Sequence, residues 1–216
     1  MEYICGKQTY IVDAPDLAAR LQGYQQVMID LGTGDGRYVQ HVAHSYPKRF
    51  VIGIDACREP LSQISRKSQP NALYLIVNAE ALPAELSGLA CHITVNFPWG
   101  SLLTGLLTSS SKVIAHLRLI AQPGATLEIR LNSSALLQQG WSLEEGGLIV
   151  QQALQSSGFK LKPSLTLDAE ALRNYPTTWA KRLGYGRDPH ALLLRATSPD
   201  GYRVQGGSRQ LAVCTS

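Results

Sequence analysis

Hydrophobic and polar positions alternate in two short runs at the start of the chain, EYIC and TYIV, separated by Gly6-Lys7-Gln8. That pattern predicts a small β-hairpin, residues 1–13, capping one side of the fold. Over Pro15–Gln22 the period becomes helical: Leu17, Ala18 and Leu21 share a stripe, Asp13 is available as the N-cap and Gly23 as the stop. Apolar strands then alternate with amphipathic helices. QVMIDL is followed by a helix around Arg37–Ser45, FVIGI by a helix around Glu59–Arg66, and LYLIV by a short turn at Leu82–Leu86. HITVN precedes a helix from Ser111 that turns Val113, Ile114, Leu117 and Ile120 inward, and TLEIRL ends near Asn132. The rhythm is that of a parallel sheet, with five parallel strands.

The final third is less regular. Ser133–Gly147 reads as a Gly/Ser-rich link, Leu148–Gln155 as an amphipathic helix, and FKLKPSL and HALLLRA as two strands able to pair. Asp168–Arg187, between those strands, is too long for a tight hairpin and predicts an inserted helix and loop over the sheet edge, a usual place for substrate contacts. The expected architecture is therefore α/β, a seven-stranded, mostly parallel sheet with helices on both faces. One domain spans 1–198, with substrate-side insertions at 133–147 and 166–189 and a flexible tail at 199–216.

Composition narrows the class. The 216 residues are 44% hydrophobic and 17% charged, which predicts a globular chain. A net charge of +4 allows a polyanionic partner without requiring one. No apolar run is long enough for a membrane span and Met1-Glu2-Tyr3 begins no signal peptide, so the expected compartment is the cytoplasm. The four cysteines, Cys5, Cys57, Cys91 and Cys214, lie far apart and read as free thiols. His41 and His44 could share a helix face, but no third ligand accompanies them, and no metal is expected.

Candidate chemistry begins at Asp30-Leu31-Gly32-Thr33-Gly34-Asp35-Gly36, which follows the first parallel strand and opens a helix, where such sheets bind nucleotides. Glycine is required where φ is positive or the backbone must touch a ligand. The dinucleotide fingerprint G-x-G-x-x-G fails because its third glycine falls on Arg37. The pattern D-x-G-x-G-x-G instead matches the first motif of Rossmann-like class I methyltransferases that use S-adenosylmethionine (SAM). Asp30 suits the methionine ammonium, Asp55 ends the second strand where ribose hydroxyls are held, and Ala79-Glu80 could border the adenine. After the fourth strand comes Asn96-Phe97-Pro98-Trp99-Gly100-Ser101, whose aromatic can stack on a flat base, an interaction worth roughly 1–3 kcal/mol. Trp179 offers a second plane.

With IDLGTGDGR, IGID, AEALP, FPWGSLL and TTWAKRLGYGR in this order over most of residues 26–187, the chain resembles the aminoglycoside-resistance methyltransferases that modify N1 of the decoding-site adenine, position 1408 of 16S rRNA. The resemblance implies that Trp99 and Trp179 sandwich the flipped adenine across a gap one purine wide, with Phe97 and Pro98 holding the loop. It implies a SAM pocket lined by Asp30, Gly32, Asp55, Ala79, Glu80, Ser101 and Thr177, to which Thr33, Gly34, Ala56 and Asn96 are expected to contribute. It implies rRNA phosphate contacts from Arg187 with Lys181 and Arg182 nearby, and a 30S ribosomal subunit as substrate; Arg66 and Lys67 are expected to add to the basic surface, and the enzyme is expected to be monomeric. The chain departs from the family pattern at Pro189, where a basic residue is expected, and in its short basic loop Arg66–Pro70.

Adenine N1 is unprotonated near neutrality, so the expected reaction is direct methyl transfer governed by positioning. Three other readings stay open on sequence alone, the first a small-molecule methyltransferase, which would not need the basic surface. Asn96-Phe97-Pro98-Trp99 also fits a motif for methylating exocyclic amines, with Asn96 accepting a hydrogen bond from the amino group, and a SAM-binding ribosome factor without transfer activity would share the same pocket.

Overall fold

The structure, a computed structural model, describes residues 1–108, 112–187 and 189–200. Among these, nine strands form one sheet: β1 (Glu2–Cys5), β2 (Gln8–Ile11), β3 (Gln26–Leu31), β4 (Arg49–Asp55), β5 (Ala72–Ile76), β6 (Ala90–Asn96), β7 (Ala121–Asn132), β8 (Lys160–Leu167) and β9 (Ala191–Thr197). Their spatial order is β2-β1-β5-β4-β3-β6-β7-β9-β8. Strands β3 to β7 pair in parallel, and β9 lies antiparallel between β7 and β8.

The expected seven strands are present, but the seven-stranded description is corrected to nine. The N-terminal hairpin joins the sheet, with β1 antiparallel to β5 through Tyr3 and Leu75. An uncovered β5 edge would expose unpaired backbone groups. The hairpin covers that edge and buries Ile4 in a cluster with Ala72 and Tyr74.

The central strands read as near-continuous apolar runs because both faces are covered. Ile29, Ile52 and Leu75 face one core, while Met28, Val51 and Tyr74 face the other, where Val39 and Val42 of α2 (Arg37–Ser45) pack. Helix α1 (Ala14–Leu21) starts as expected, with the Asp13 carboxylate accepting the Asp16 N–H at 2.9 Å. Helix α3 (Arg58–Ile64) is followed by a 3-10 turn at Ser65–Lys67.

Helix α4 (Gly100–Leu107) has no counterpart in the sequence-based expectation. Gly100 and Gly105 weaken its intrinsic preference, and burial of Leu103 and Leu106 stabilises it instead. Helix α5 (Lys112–Ile120) buries the four predicted side chains, and Ser111 lies outside the described residues.

The link expected over 133–147 is largely helical, as α6 (Ser133–Gln138) and α7 (Leu143–Ser156). A capping box starts α7: the Ser142 hydroxyl accepts the Glu145 N–H at 3.1 Å, and the Glu145 carboxylate accepts the Ser142 N–H at 3.0 Å. Gly146 and Gly147 then serve close packing, since a Cβ on each would lie 2.4 Å from Leu136 or Leu192. The insertion before β9 carries α8 (Ala169–Asn174) and α9 (Thr178–Gly184). From residue 201 the expected tail lies outside the described residues.

Gly36, at the N-terminus of α2, has φ +71°, and a Cβ there would lie 2.7 Å from both Ile64 and Tyr74. Left-handed strain and overpacking add up to about 2–4 kcal/mol. Gly36→Ala is therefore expected to lower the melting temperature on the order of 10 °C in a thermal scan.

Candidate active site

The strand order reverses between β3 and β6, and a crevice opens there at the carboxyl ends of the parallel strands. Asp30, at the end of β3, is 1% exposed. Its Oδ1 accepts hydrogen bonds from Thr94 Oγ1 at 2.6 Å and Asn96 Nδ2 at 2.8 Å, both on β6. Burial pushes its carboxyl above the usual carboxylate range, opposed by those hydrogen bonds and by the Arg130 charge. A carboxylate so stripped of water is suited to answer a cation entering the crevice.

The glycine loop follows. A Cβ on Gly34, at φ +58°, would meet no protein atom within 4 Å, so the bare backbone borders open space. Asp55, ending β4, holds the loop in place: its Oδ2 accepts the Gly34 N–H at 2.8 Å and its Oδ1 the Cys57 N–H at 2.9 Å. Each oxygen keeps one lone pair for hydroxyl donors. Beyond β5, the Asn78 side chain caps a 3-10 turn by accepting the Glu80 N–H, and His116 Nδ1 lies 2.9 Å from the Ala79 carbonyl.

Phe97 has φ +53°, the one non-glycine positive value among the described residues. Its ring is buried with Leu172, Ala180 and Ala191, and its N–H donates to the Arg130 carbonyl at 2.8 Å. Strain of this kind persists only where the surroundings over-determine it. Its consequence is to bring Trp99 to the crevice. Trp99 and Trp179, contributed by α9, lie 5.2 Å apart between ring centroids with a 33° tilt. The purine-wide gap is thus absent from this structure; the two apolar ring faces cover one another. The Trp99 indole N–H is buried with no hydrogen-bond partner among the described residues.

All the residues predicted for the cofactor pocket line one cavity of about 450 Å³, from Asp30, Gly32, Thr33 and Gly34 through Asp55, Ala56, Ala79 and Glu80 to Asn96, Ser101 and Thr177. Phe97, Pro98, Trp99 and Trp179 line it too. Its volume falls within the roughly 300–1,000 Å³ usual for small-molecule sites. The buried acid, the glycine backbone open to the cavity and the orphaned indole N–H make it fit for SAM, with its ammonium, ribose hydroxyls and purine. Of the predicted basic residues, Lys181 and Arg182 line an adjoining groove, Arg66 and Lys67 line another, and Arg187 is exposed beyond α9. Among the described residues no cluster of His, Cys, Asp or Glu could hold a metal, and no helix is long and apolar enough to cross a membrane.

Several residues of the site escaped the sequence reading. Tyr175 donates its hydroxyl to Asn96 Oδ1 at 2.8 Å, and Arg130 Nη1 reaches the same oxygen at 3.3 Å. The Arg130 guanidinium stands 4.1 Å from the Tyr175 ring centroid and pairs with Glu128 at 2.8 Å, while Tyr38 stacks on Tyr175 at 5.4 Å. Burial raises the pKa of both phenols, which keeps them protonated. Thr178 Oγ1 donates to Asp35 at 2.6 Å, tying the insertion to the glycine loop. One signal was available: Glu128 and Arg130, two apart in a strand, must share a face.

A doubly wound sheet whose switch point presents a buried acid, a glycine turn and a second acid is the framework of a class I SAM-dependent methyltransferase. The comparisons give the branch. The model of the family NpmA, 16S rRNA (adenine(1408)-N(1))-methyltransferase, matches residues 2–198, and the chain belongs to that family. The chain is 30% identical to the Escherichia coli 16S rRNA (adenine(1408)-N(1))-methyltransferase, over 84% of this chain and 91% of that protein. It is 32% identical to the Streptoalloteichus tenebrarius enzyme of the same name, over 89% and 96%. Among solved structures, the 16S rRNA methyltransferase KamB superposes with a TM-score of 0.83 at 30% identity, covering 92% of this chain and 100% of that one. A mutant of the Catenulisporales acidiphilia 16S rRNA (adenine(1408)-N(1))-methyltransferase, solved with its cosubstrate SAM, superposes with a TM-score of 0.81 at 25% identity, covering 96% and 100%.

Asp30→Asn keeps the acceptor that Thr94 and Asn96 use and removes the charge. Loss of a charged hydrogen bond, about 1.5–3 kcal/mol, is expected to weaken SAM binding about 10- to 100-fold by calorimetry. The native group's raised pKa means that its ionised form opposes folding. The ligand-free variant should therefore melt above the parent at pH 8, and the difference should shrink as the pH falls and the parent's carboxyl takes up its proton.

Proposed function

We propose that the chain transfers the methyl group of SAM to N1 of adenine 1408 of 16S rRNA in the 30S subunit, and thereby confers aminoglycoside resistance. The observation that carries this reading is the meeting of Trp99 and Trp179 at the SAM cavity, within a chain matched from 2 to 198 by that one family. Methylated N1 loses its acceptor and gains a positive charge, both unfavourable to a polycationic drug in the decoding site.

When bound, SAM supplies an electrophilic methyl on sulfonium. The adenine N1 lone pair forms the new N–C bond as the S–C bond breaks, and the positive charge passes from sulfur to the base, so no residue has to remove a proton. The protein's task is placement. Asp30 anchors the ammonium, and the Asp55 lone pairs left by Gly34 and Cys57 accept ribose hydroxyls. The glycine loop, Thr33, Ala56, Ala79, Glu80, Ser101 and Thr177 shape the rest of the pocket.

A purine in van der Waals contact with two rings needs their faces about 7 Å apart, so rings that already touch must part by roughly one ring thickness, about 3.5 Å, for the base to enter. Trp179 moves the more easily, being 42% exposed on a short helix. The ring faces then stack on the adenine and favour its developing charge. Lys181, Arg182, Arg187, Arg66 and Lys67 meet rRNA phosphates, contacts that supply affinity with little sequence information. One chain supplies both tryptophans, which supports a monomer, and the transfer calls for no metal. Action on ribosomes puts the enzyme in the cytoplasm, with residues 1–198 as the methyltransferase domain.

The amine-methylation reading loses its support, because Asn96 Oδ1, the atom that would accept from an exocyclic amine, already receives Tyr175 and Arg130. Trp99→Ala and Trp179→Ala are each expected to lower the methylation rate of 30S subunits at least 100-fold while SAM affinity stays within about threefold of the parent. Primer extension should give a stop at adenine 1408 with the parent enzyme and little or none with either variant. Parent-like rates in both variants, or an N6-methylated product by mass spectrometry, would overturn the assignment.

A further inference from the structure

The predicted basic residues form two groups far apart in sequence, Arg66 and Lys67 after α3 and Lys181 to Arg187 around α9. Helix α2 fills the space between them. One groove runs between α2 and α9, lined by Arg37, His41 and His44 on one wall and Lys181 and Arg182 on the other, with no carboxylate among its described lining residues. A second groove, on the other side of Arg37, is lined by Lys7, Arg66 and Lys67. Arg37, Gln40 and Ile64 border both, so the two grooves adjoin along α2. Thr177 and Thr178 border both the first groove and the SAM cavity, so the track leads to the target site.

Asp35, the carboxylate beside the second groove, is engaged by Thr178 at 2.6 Å and by Arg37 at 3.5 Å, which offsets its charge toward an incoming anion. The Arg37 side chain nevertheless remains 68% exposed, and His41 and His44 are exposed as well.

We infer that the exposed face of α2, through Arg37 and His41, binds the phosphodiester backbone of the rRNA strand flanking the flipped adenine, making one continuous phosphate track from Lys7 and Arg66 to Arg182. The inference rests on the rRNA-methyltransferase reading and adds α2 to the residues that hold the RNA. Phosphates spaced along a strand need donors spaced along a surface, and α2 supplies them where the two basic groups leave a break. An arginine contributes a charged two-pronged donor and a histidine a ring N–H.

The test measures 30S binding by competition against a labelled parent enzyme over a series of salt concentrations, with SAM affinity and melting temperature measured alongside. Arg37→Ala should weaken 30S binding about tenfold and make the slope of log K against log salt shallower by about one, as expected for one lost phosphate contact. His41→Glu, which touches neither the SAM cavity nor Asp35, should weaken 30S binding at least tenfold with SAM affinity unchanged. Lys181→Glu serves as the reference. If it weakens 30S binding while Arg37→Ala and His41→Glu bind as the parent does, the α2 track is wrong and the function stands. If Lys181→Glu also binds as the parent does, the rRNA-facing assignment of this whole side fails.

Discussion

A carboxylate held out of water between two strands organises this molecule. Asp30 ends β3, its hydrogen-bond donors Thr94 and Asn96 lie on β6, and the pairing spans the place where the sheet changes winding direction. An uncompensated charge there would be costly, so the surrounding side chains are fixed by the need to satisfy it. Asn96 gives its amide to Asp30 and its carbonyl oxygen to Tyr175 and Arg130; Arg130 in turn pairs with Glu128. One buried charge thus sets the orientation of groups on β6, β7 and the late insertion. It also leaves a binding energy in reserve for a ligand that brings the missing cation.

The same network explains how Trp179 arrives opposite Trp99. Tyr175, two residues before the N-cap of α9, is clamped by Asn96, Arg130, Tyr38 and the edge of Phe97. Thr178, at the first turn, is held by Asp35. On the other side, Phe97 accepts a left-handed backbone because its ring is buried against α8, α9 and β9, and the turn delivers Trp99. Sheet, loop and insertion therefore position one another. The two tryptophans rest in contact, with Trp179 an exposed side chain on a seven-residue helix.

Electrostatics divide the surface by task. The interior of the crevice carries acids at the ends of β3 and β4, suited to a cationic methyl donor, whereas the grooves outside carry Lys and Arg from α2, α3's following turn and α9. Arg37 and Thr178 on Asp35 mark the border between the two regions. Separation of this kind suits one small domain to a cationic cofactor in the crevice and a polyanion beside it.

Much of this was written in local pattern. Period-two and period-3.6 hydrophobicity gave the strand–helix alternation; D-x-G-x-G-x-G and NFPWGS fell at strand ends because their chemistry requires that location, and every residue predicted for the cofactor pocket lines the cavity. What local pattern did not contain were the consequences of packing at a distance. The hairpin's place as two more strands depended on an open β5 edge, and the helix through Gly146 and Gly147 on the nearness of Leu136 and Leu192. The roles of Tyr175 and Arg130 depended on a carboxylate more than ninety residues away in sequence. Sequence determines which side chains need company; only the closed tertiary structure decides which partners supply it, since those contacts join segments with no shared period.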